Sequence, residues 1–358
     1  MNISIDCRMI NSSGIGVYLR GCLPYFINSG NNFLLIGNYK QLKSYESFPN
    51  VKIVNCDIKP FSLIEIFFFP AIIKKQINNI DVFYSPYFNI PKGITIPVYT
   101  TIHDILFPDM PGVVSKTGLF IRMWFFRRAY KISKLIFTVS EFSKSRITHH
   151  LGTSKRIIVT HNAVQQIILD YKNNIKNIQK KETIIFIGNI KKHKGLNCLL
   201  DAFKLARNEG FRHQLIIVGS DKNHRSSDKA IIKKINTFEK GAINFTGHIS
   251  DEKLLELLSS ASLLVQPSLY EGFCYPPLEA MVIGTQALIS DIPVLKEVYS
   301  EYPVVYFKAG DPIDLKEKLT ELLLNNKQQV ISLPEHLLNK YTFNKTASII
   351  LNNLSTDN

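Results

Sequence analysis

Short apolar runs that alternate with helical stretches constrain the fold of this chain more than any other feature of its sequence. The first half holds seven such runs and the second half six. Strands that alternate with helices predict a parallel sheet covered by helices. Because this alternation occurs separately in each half of the chain, it predicts two such sheets. The predicted strands are Ile3–Asp6, Phe33–Ile36, Val51–Val54, Val82–Ser85, Val98–Ile102, Leu135–Val139, Ile157–Val159, Thr183–Gly188, Gln214–Gly219, Ile243–Gly247, Leu263–Val265, Gln286–Ser290 and Val304–Phe307.

A polar run from Asp170 to Glu182 offers no apolar face and predicts a linker between two domains. We therefore expect an N-terminal domain over residues 1–168, a linker over 169–182, a C-terminal domain over 183–335 and a helical tail over 336–358. A length of 358 residues suits two domains of ordinary size. Two doubly wound α/β domains joined in this way leave a deep cleft, where ligand sites are common.

The formal net charge of +14 requires an anionic partner or another explanation. Nucleic acid is the weakest candidate, because the chain has no zinc-finger spacing, no RNP-like sequence and no regular basic recognition helix. The five cysteines are scattered without metal-binding spacing, and the N-terminus lacks the regions of a signal peptide. No apolar run is long enough to span a bilayer. The expected location is the cytoplasm, including the inner face of the cytoplasmic membrane.

The stretch Gly118–Lys134 could bring the chain to an anionic membrane surface. It combines basic residues with aromatic ones, and as a helix it would be amphipathic. An ordinary core helix with its aromatic side chains packed inward explains the same pattern, so both interpretations stay open. The most apolar stretch, Phe61–Ile73, is interrupted by Glu65 and Pro70 and does not predict a membrane span.

Two carboxylates, Glu271 and Glu279, lie eight positions apart around a Gly-Phe turn and a Pro-Pro pair. The apolar run before them predicts a strand and the residues after them predict a helix, so Glu271 falls in the loop and Glu279 in the first helical turn. Open α/β sheets bind their ligands at such loops, and a carboxylate accepts two hydrogen bonds from a vicinal diol. A solvated loop acid and a dipole-compensating helix acid explain the same spacing.

The surrounding sequence, PSLYEGFCYPPLEAM followed by GTQALISDIPVLKEV, resembles the glutamate-x7-glutamate signature of the retaining nucleotide-sugar glycosyltransferases of group 1, the GT4 family. The resemblance runs over the whole chain and implies the GT-B architecture, two facing Rossmann-like domains whose last helix crosses back to the N-terminal domain. It implies that Glu279 holds the ribose hydroxyls and that Glu271 faces the donor sugar. The N–H groups of Gly272, Phe273 and Cys274 would contact sugar or phosphate oxygens. Family members mostly have glycine in place of Cys274.

The segment FIGNIKKHKGL follows a predicted strand and precedes a predicted helix. Its lysines could neutralise a diphosphate, or they could form a solvated basic turn. The resemblance favours the first interpretation, because Lys194 matches the lysine that the family carries just before the helix. Asn189 stands at the usual arginine position, and Lys191 is expected to take over the arginine's task.

Two more motifs lie in the first half. Gly14 and Gly16 belong to the segment IDCRMINSSGIGVYLRGCL, which resembles the start of many GT4 enzymes, where this loop approaches the donor diphosphate. A tight turn without a ligand is the alternative. His103 ends a predicted strand where the family has a histidine close to the transferred sugar. A sugar or phosphate contact is therefore expected of His103, without a general-base role.

The resemblance implies transfer of a hexose from a nucleoside-diphosphate sugar to a hydroxyl of a glycan or a polyprenyl-diphosphate-linked oligosaccharide, with the anomeric configuration retained. His103, Glu271 and Lys194 would act at the reacting centre, where cationic groups stabilise the leaving diphosphate. Neither a metal nor another cofactor is expected, since no Asp-x-Asp motif ends a predicted strand. Mannose and bacterial O-antigen synthesis are favoured by association with similar enzymes. A nucleotide-sugar epimerase, another GT-B enzyme such as a phosphorylase, and a non-catalytic polyanion-binding protein are the alternatives.

Overall fold

The computed structural model describes residues 1–175, 179–219, 226–324 and 330–354, and the chain divides into two compact units. Unit 1 consists of residues 1–165 together with the tail from residue 341, and unit 2 consists of residues 166–340. The segment expected to be a linker, 169–182, starts with helix and ends with strand, and its residues 176–178 lie outside the described residues. The helix forms because Ile168, just before the polar run, supplies a buried side chain.

Unit 1 is built on a seven-stranded parallel sheet. Its strands are β1 (Asn2–Asp6), β2 (Asn32–Gly37), β3 (Val51–Asn55), β4 (Val82–Ser85), β5 (Val98–Thr101), β6 (Leu135–Thr138) and β7 (Ile157–Val159). In space they follow the order β3-β2-β1-β4-β5-β6-β7, so the chain order reverses between β1 and β4, where Ile3 pairs with Val82. Every residue of β4, β5 and β6 is buried, as expected for parallel strands covered on both faces.

The helices of unit 1 that precede the tail are α1 (Ser13–Ile27), α2 (Tyr39–Leu42), α3 (Leu63–Phe67), α4 (Ala71–Asn78), α5 (Leu106–Asp109), α6 (Lys116–Ile132) and α7 (Glu141–Leu151), with a 3-10 turn at Lys43–Tyr45. Side-chain caps fix several of their starts. The Ser115 hydroxyl accepts from the N–H of Gly118 at α6, and the Ser140 hydroxyl accepts from the N–H of Ser143 at α7.

Unit 2 is built on a six-stranded parallel sheet. Its strands are β8 (Lys181–Ile187), β9 (Gln214–Val218), β10 (Ile243–Gly247), β11 (Ala261–Gln266), β12 (Gln286–Ser290) and β13 (Val305–Phe307). Its helices are α8 (Gln166–Asn174), α9 (Leu196–Asn208), α10 (Ser226–Ile235), α11 (Asp251–Ser260), α12 (Tyr275–Val282), α13 (Pro293–Tyr299), α14 (Pro312–Leu324) and α15 (Glu335–Leu338). A 3-10 turn lies at Lys192–Lys194. The strand order is β10-β9-β8-β11-β12-β13, so the chain order reverses between β8 and β11.

The tail returns to unit 1 as helix α16 (Phe343–Asn352). The ring of Phe343 packs edge-on against Tyr18 of α1, with 6.5 Å between the ring centroids. A side chain at Gly21 would collide with Phe343, so the small residue lets α1 and α16 approach closely. The predicted helical tail is therefore helical in two pieces, and residues 355–358 lie outside the described residues.

The prediction of two doubly wound α/β domains is confirmed unit by unit. Each predicted strand is present, with ends that differ from the prediction by at most two residues. The short apolar runs identify the strands reliably because these strands are buried on both faces, which leaves a nearly continuous apolar signal.

Candidate functional site

In unit 2, the loops that follow β8 and β11 lie at the point where the chain order reverses. Loops that leave such a pair of parallel strands turn toward opposite faces of the sheet, and α/β proteins bind their ligands in the crevice between them. The loop after β8 carries the predicted lysines, and the loop after β11 carries the first predicted acid. Both are therefore placed where a doubly wound domain binds ligands.

The two loops are locked together by their backbones. The N–H of Leu269 donates to the carbonyl of His193, with 2.7 Å between nitrogen and oxygen. Gly195 has a φ of +69°, and a Cβ atom there would lie 1.7 Å from the carbonyl oxygen of Pro267. Only glycine meets both the left-handed backbone and this close approach.

Lys194 and Glu271 form an ion pair across these loops. The ammonium of Lys194 lies 2.7 Å from Oε1 and 2.9 Å from Oε2 of Glu271. The hydroxyl of Ser268 donates to Oε1 of Glu271 over 2.7 Å, and the amide of Gln266 donates to that hydroxyl over 2.8 Å. The Glu271 side chain is only 10% exposed. The structure thus brings together two of the predicted residues and fixes the acid through a short polar chain.

Cys274 has a backbone conformation that normally belongs to glycine. Its φ is +78°, one of two positive values at a non-glycine residue among the described residues. Its carbonyl accepts a short hydrogen bond from the hydroxyl of Tyr299, which holds the strained loop against α13. Burial raises the pKa of the Cys274 thiol well above its usual range, and the negative charge of Glu271 adds to this effect.

Glu279 lies on α12 with 6% of its surface exposed. The expectation that it occupies the first helical turn is wrong, because α12 already begins at Tyr275 and Glu279 falls in the second turn. Two prolines at the start of α12 have a fixed φ that suits a helix start, so the helix begins earlier than its apolar residues indicate. Gly272 and Phe273 precede this start and are buried.

The remaining residues of the lysine loop differ in exposure. Asn189 is half-buried, and Lys191 is exposed while its carbonyl accepts from the N–H of Lys194 over 2.9 Å. His193 is buried, and among the described residues nothing bonds to its Nδ1 atom. Burial, together with the neighbouring charge of Lys194, lowers the pKa of His193 to about 4. No sequence pattern indicated a role in the site for His193, Ser268 or Gln266.

In unit 1, the first motif lies just after β1, beside the point where the chain order reverses. The expectation of a loop at Gly14 and Gly16 is wrong, because α1 already begins at Ser13 and both glycines are helical. A Cβ atom at Gly16 would lie 2.5 Å from the carbonyl oxygen of Ile10, so packing against the preceding turn requires glycine there. Gly14 is exposed in the first helical turn, and the dipole of a helix attracts anions to this end.

His103 follows β5 and is held by its ring and by its backbone. Its Nε2 atom lies 3.0 Å from the carbonyl oxygen of Pro86, and Tyr18 packs edge-on against the ring. The hydroxyl of Ser143 donates to the carbonyl of His103. Burial lowers the pKa of His103 to about 4, which keeps the imidazole neutral at pH 7. Because a carbonyl only accepts, Nε2 carries the proton and Nδ1 is left as an acceptor.

The described residues include neither a metal-binding cluster nor a membrane-spanning helix. Within residues 1–175, 179–219, 226–324 and 330–354, no three His, Cys, Asp or Glu side chains are grouped closely enough to hold a metal ion. No helix in that part of the chain combines the length and the hydrophobicity needed to cross a membrane.

Comparison with known families gives two adjoining matches. Residues 12–166 match the family described as Glycosyltransferase Family 4, and residues 169–333 match the family described as Glycosyl transferases group 1. The O-antigen chain mannosyltransferase B of Escherichia coli is 29% identical over 248 residues, which cover 65% of this chain and 62% of that protein. The O-antigen chain mannosyltransferase RfbU of Salmonella typhimurium is 27% identical over 263 residues, which cover 70% of this chain and 67% of that protein. The chain thus spans about two thirds of the length of these relatives.

Solved structures share the fold at lower identity. The crystal structure of Anabaena HepE in complex with UDP and glucose has a TM-score of 0.73 at 17% identity and is covered over the full length of both chains. A sucrose-phosphate synthase from Thermosynechococcus elongatus has a TM-score of 0.72 at 15% identity, with 98% of each chain covered. At these identities the similarity shows the fold alone.

Proposed function

We propose, because this chain belongs to the group 1 glycosyltransferases of family 4, that it transfers a hexose from a nucleoside-diphosphate sugar to a hydroxyl of a glycan or lipid-linked oligosaccharide. The anomeric configuration is retained in this proposal. The relatives are named O-antigen mannosyltransferases, which supports mannose as the sugar and O-antigen synthesis as the process.

The observation that carries the proposal is the ion pair of Lys194 and Glu271 at the reversal point of unit 2. A diphosphate needs cationic groups where its negative charge grows during transfer. Lys194, in the loop after β8, supplies one. A hexose needs acceptors for its hydroxyl protons, and Glu271 offers two oxygens beside that cation. Glu279 is assigned to the ribose hydroxyls on the family resemblance.

The neutral imidazole of His103 suits a hydroxyl better than a phosphate. Its Nε2–H is used by Pro86, so the free ring atom is an acceptor. A phosphate oxygen also only accepts and gains nothing from that atom, whereas a sugar hydroxyl donates to it. We therefore assign His103 to a sugar hydroxyl. The contacts proposed for Gly14, Gly16, Asn189 and Lys191 with the diphosphate rest on the resemblance.

A location at the inner face of the cytoplasmic membrane belongs to the same proposal. A lipid-linked acceptor would place the reaction there, and unit 1 carries the basic-aromatic segment as α6. Anionic lipids attract such segments by about 1 kcal/mol for each basic residue near the surface.

A thermal-shift panel tests the donor assignment. The candidates are UDP, GDP, dTDP and their common sugar derivatives, and a ligand at 100 times its dissociation constant stabilises the fold by about 2.7 kcal/mol. We expect GDP and GDP-mannose to give the largest shifts. NMR of the product formed with a lipid-linked acceptor should show the donor's anomeric configuration. Conversion of the donor without any acceptor would identify an epimerase instead, and a panel without any shift would remove the nucleotide-sugar assignment.

A further inference from the structure

The apolar segment around α3 faces solvent along one side. α3 buries Glu65 and Ile66, while the residues around them are exposed: 61% for Leu63 and 75% for Phe68. A short helix with apolar side chains in water and its acid buried inverts the usual arrangement. We call the exposed members the apolar patch; they are Leu63, Ile64, Phe67, Phe68 and Ile72.

The buried carboxylate of Glu65 holds this segment in place. On Oε1 it accepts from Arg8 over 2.5 Å and from the hydroxyl of Tyr87 over 3.0 Å. On Oε2 it accepts from the N–H of Phe61 over 2.9 Å and from the side-chain amide of Asn89. Burying a carboxylate costs free energy that only such a complete set of partners offsets. Four hydrogen bonds to Glu65 therefore anchor the segment that carries the patch.

The segment that carries the patch is joined to α6 through one loop. The N–H of Lys92 donates to the carbonyl of Ile66 on α3, over 3.1 Å. The guanidinium of Arg128 on α6 donates to the carbonyls of Ile90 and Pro91. The loop of residues 90–92 thus lies between α3 and α6 and bonds to both.

One stripe of α6 has the chemistry of an anion site. A cavity of about 300 Å³ lies along it, and five residues line this cavity: Trp124, Arg127, Arg128, Lys131 and Ile132. Their spacing places them on a single helical face. Arg128 is bonded to the carbonyls of Ile90 and Pro91, whereas Arg127 and Lys131 are exposed. A guanidinium and an ammonium beside an indole suit a phosphate group at the boundary of an apolar phase.

The positive charge of the two stretches that carry this surface favours an anionic partner. Glu65 is the only acid between Asp57 and Asp81, and no acid lies between Asp109 and Glu141. A second copy of the chain, related by a two-fold axis, would set these cationic residues against one another. An anionic bilayer complements them. The basic residues in these two stretches are Lys59, Lys74, Lys75, Lys116, Arg122, Arg127, Arg128, Lys131 and Lys134.

We propose that the apolar patch and the α6 stripe form one docking surface for an anionic lipid bilayer. The patch enters the boundary between headgroups and acyl chains, and the α6 cavity receives a lipid phosphate. This inference rests on the proposed function and deepens it, because a surface of unit 1 that binds the bilayer would bring the enzyme to a lipid-linked acceptor. The docking itself requires no donor.

The chain carries its own reporter for this test. Trp124 is the only tryptophan, and it lines the cavity with 40% of its surface exposed. Mixing the protein with vesicles of phosphatidylcholine and phosphatidylglycerol in equal parts should shift Trp124 emission to shorter wavelength and carry the protein to the top of a flotation gradient. Vesicles of phosphatidylcholine alone should bind at least about tenfold more weakly.

Two pairs of variants separate the two parts of the surface. The double variant Phe67→Ser, Phe68→Ser should weaken binding to the mixed vesicles at least about tenfold. Its control, Ile313→Ser with Leu324→Ser, removes two exposed apolar side chains of unit 2 and should bind as the parent does. The double variant Arg127→Gln, Lys131→Gln should lose the preference for phosphatidylglycerol. Its control, Lys204→Gln with Lys240→Gln, removes two exposed charges of unit 2 and should keep that preference.

Three outcomes would overturn the proposal: a parent protein that stays at the bottom of the gradient with mixed vesicles, patch variants that bind as well as their control, or lipid-free dimers that the patch variants abolish. The last outcome would assign the surface to self-association. Thermal shifts with nucleotide sugars should be the same in all of these variants. Loss of docking with donor binding intact therefore differs from failure of the donor assignment.

Discussion

The ammonium of Lys194 lies within hydrogen-bond distance of both carboxylate oxygens of Glu271, at 2.7 and 2.9 Å, although the two residues come from different loops. The opposite charges satisfy each other in the absence of a donor. In the proposed function, the diphosphate of the donor would compete for the ammonium and the sugar hydroxyls would compete for the carboxylate. The ion pair would then hold both groups in place for a ligand that needs both charges.

Replacing Glu271 by Gln should lower kcat by about a hundredfold or more, because the amide loses the charge that faces the sugar and Lys194. The hydrogen bond from Ser268 can still be made, so the free energy of unfolding should change by no more than about 1 kcal/mol. Steady-state transfer assays and urea unfolding measure the two effects. Glu256→Gln, at an exposed acid of α11, serves as the control. Undiminished turnover would remove Glu271 from the site.

Lys194→Met and Lys192→Met compare two lysines of the same 3-10 turn. A charge-assisted hydrogen bond contributes about 1.5–3 kcal/mol, so loss of Lys194 should weaken nucleoside-diphosphate binding by about ten- to a hundredfold. The exposed Lys192 should contribute little. Calorimetric titration of both variants with the preferred diphosphate measures the difference. Equal losses would mean that the turn attracts the diphosphate by its total charge alone.

Cys274→Gly should be more stable than Cys274→Ala by about 1–2 kcal/mol, since both remove the sulfur and only glycine relieves the positive φ. Denaturant unfolding of the two variants gives this difference directly. The same pair tests donor choice, because both variants enlarge the space beside Glu271. An alanine variant as stable as the glycine variant would show that the loop relaxes to a negative φ.

Stability should fall in mild acid because of His103 and His193. The pKa of each is lowered to about 4, so the unfolded chain binds more protons than the folded one between pH 6.5 and 4. The free energy of unfolding is therefore at its full value above pH 6.5, and it decreases as the pH falls from 6.5 toward 4. From pH 7 to pH 5 each histidine should cost about 1–2 kcal/mol in urea unfolding. His193→Gln should reduce this dependence, whereas His248→Gln, at an exposed site, should leave it unchanged.

Chelation of divalent metals should leave the initial rate of transfer unchanged. The proposal assigns the charge of the leaving diphosphate to Lys194 and to backbone N–H groups, which EDTA does not remove. Rates measured with EDTA, and with EDTA plus excess Mg²⁺, test this. A rate that falls with EDTA and recovers with Mg²⁺ would contradict the assignment.

The strands and several site residues could be predicted from the sequence, but contacts between distant residues could not. Apolar runs located β8 and β11, and the family resemblance selected Lys194 and Glu271. No local pattern indicates that these two residues pair, since they are 77 positions apart. Glu65 is a clearer case. From the sequence, this acid only interrupts an apolar stretch, whereas the structure buries it among partners from the loops after β1 and β4.

Gly195 has a consequence for how donor preference could change. Its backbone lies so close to Pro267 that no side chain fits between the β8 loop and the β11 loop. A substitution that displaces the lysine turn must therefore displace the acid loop as well. In the proposed function, a change in the backbone of either loop would therefore alter both the affinity for the diphosphate and the selectivity for the sugar. An engineer who seeks a new sugar without losing affinity should leave both loop backbones untouched and vary only the side chains, starting with Cys274.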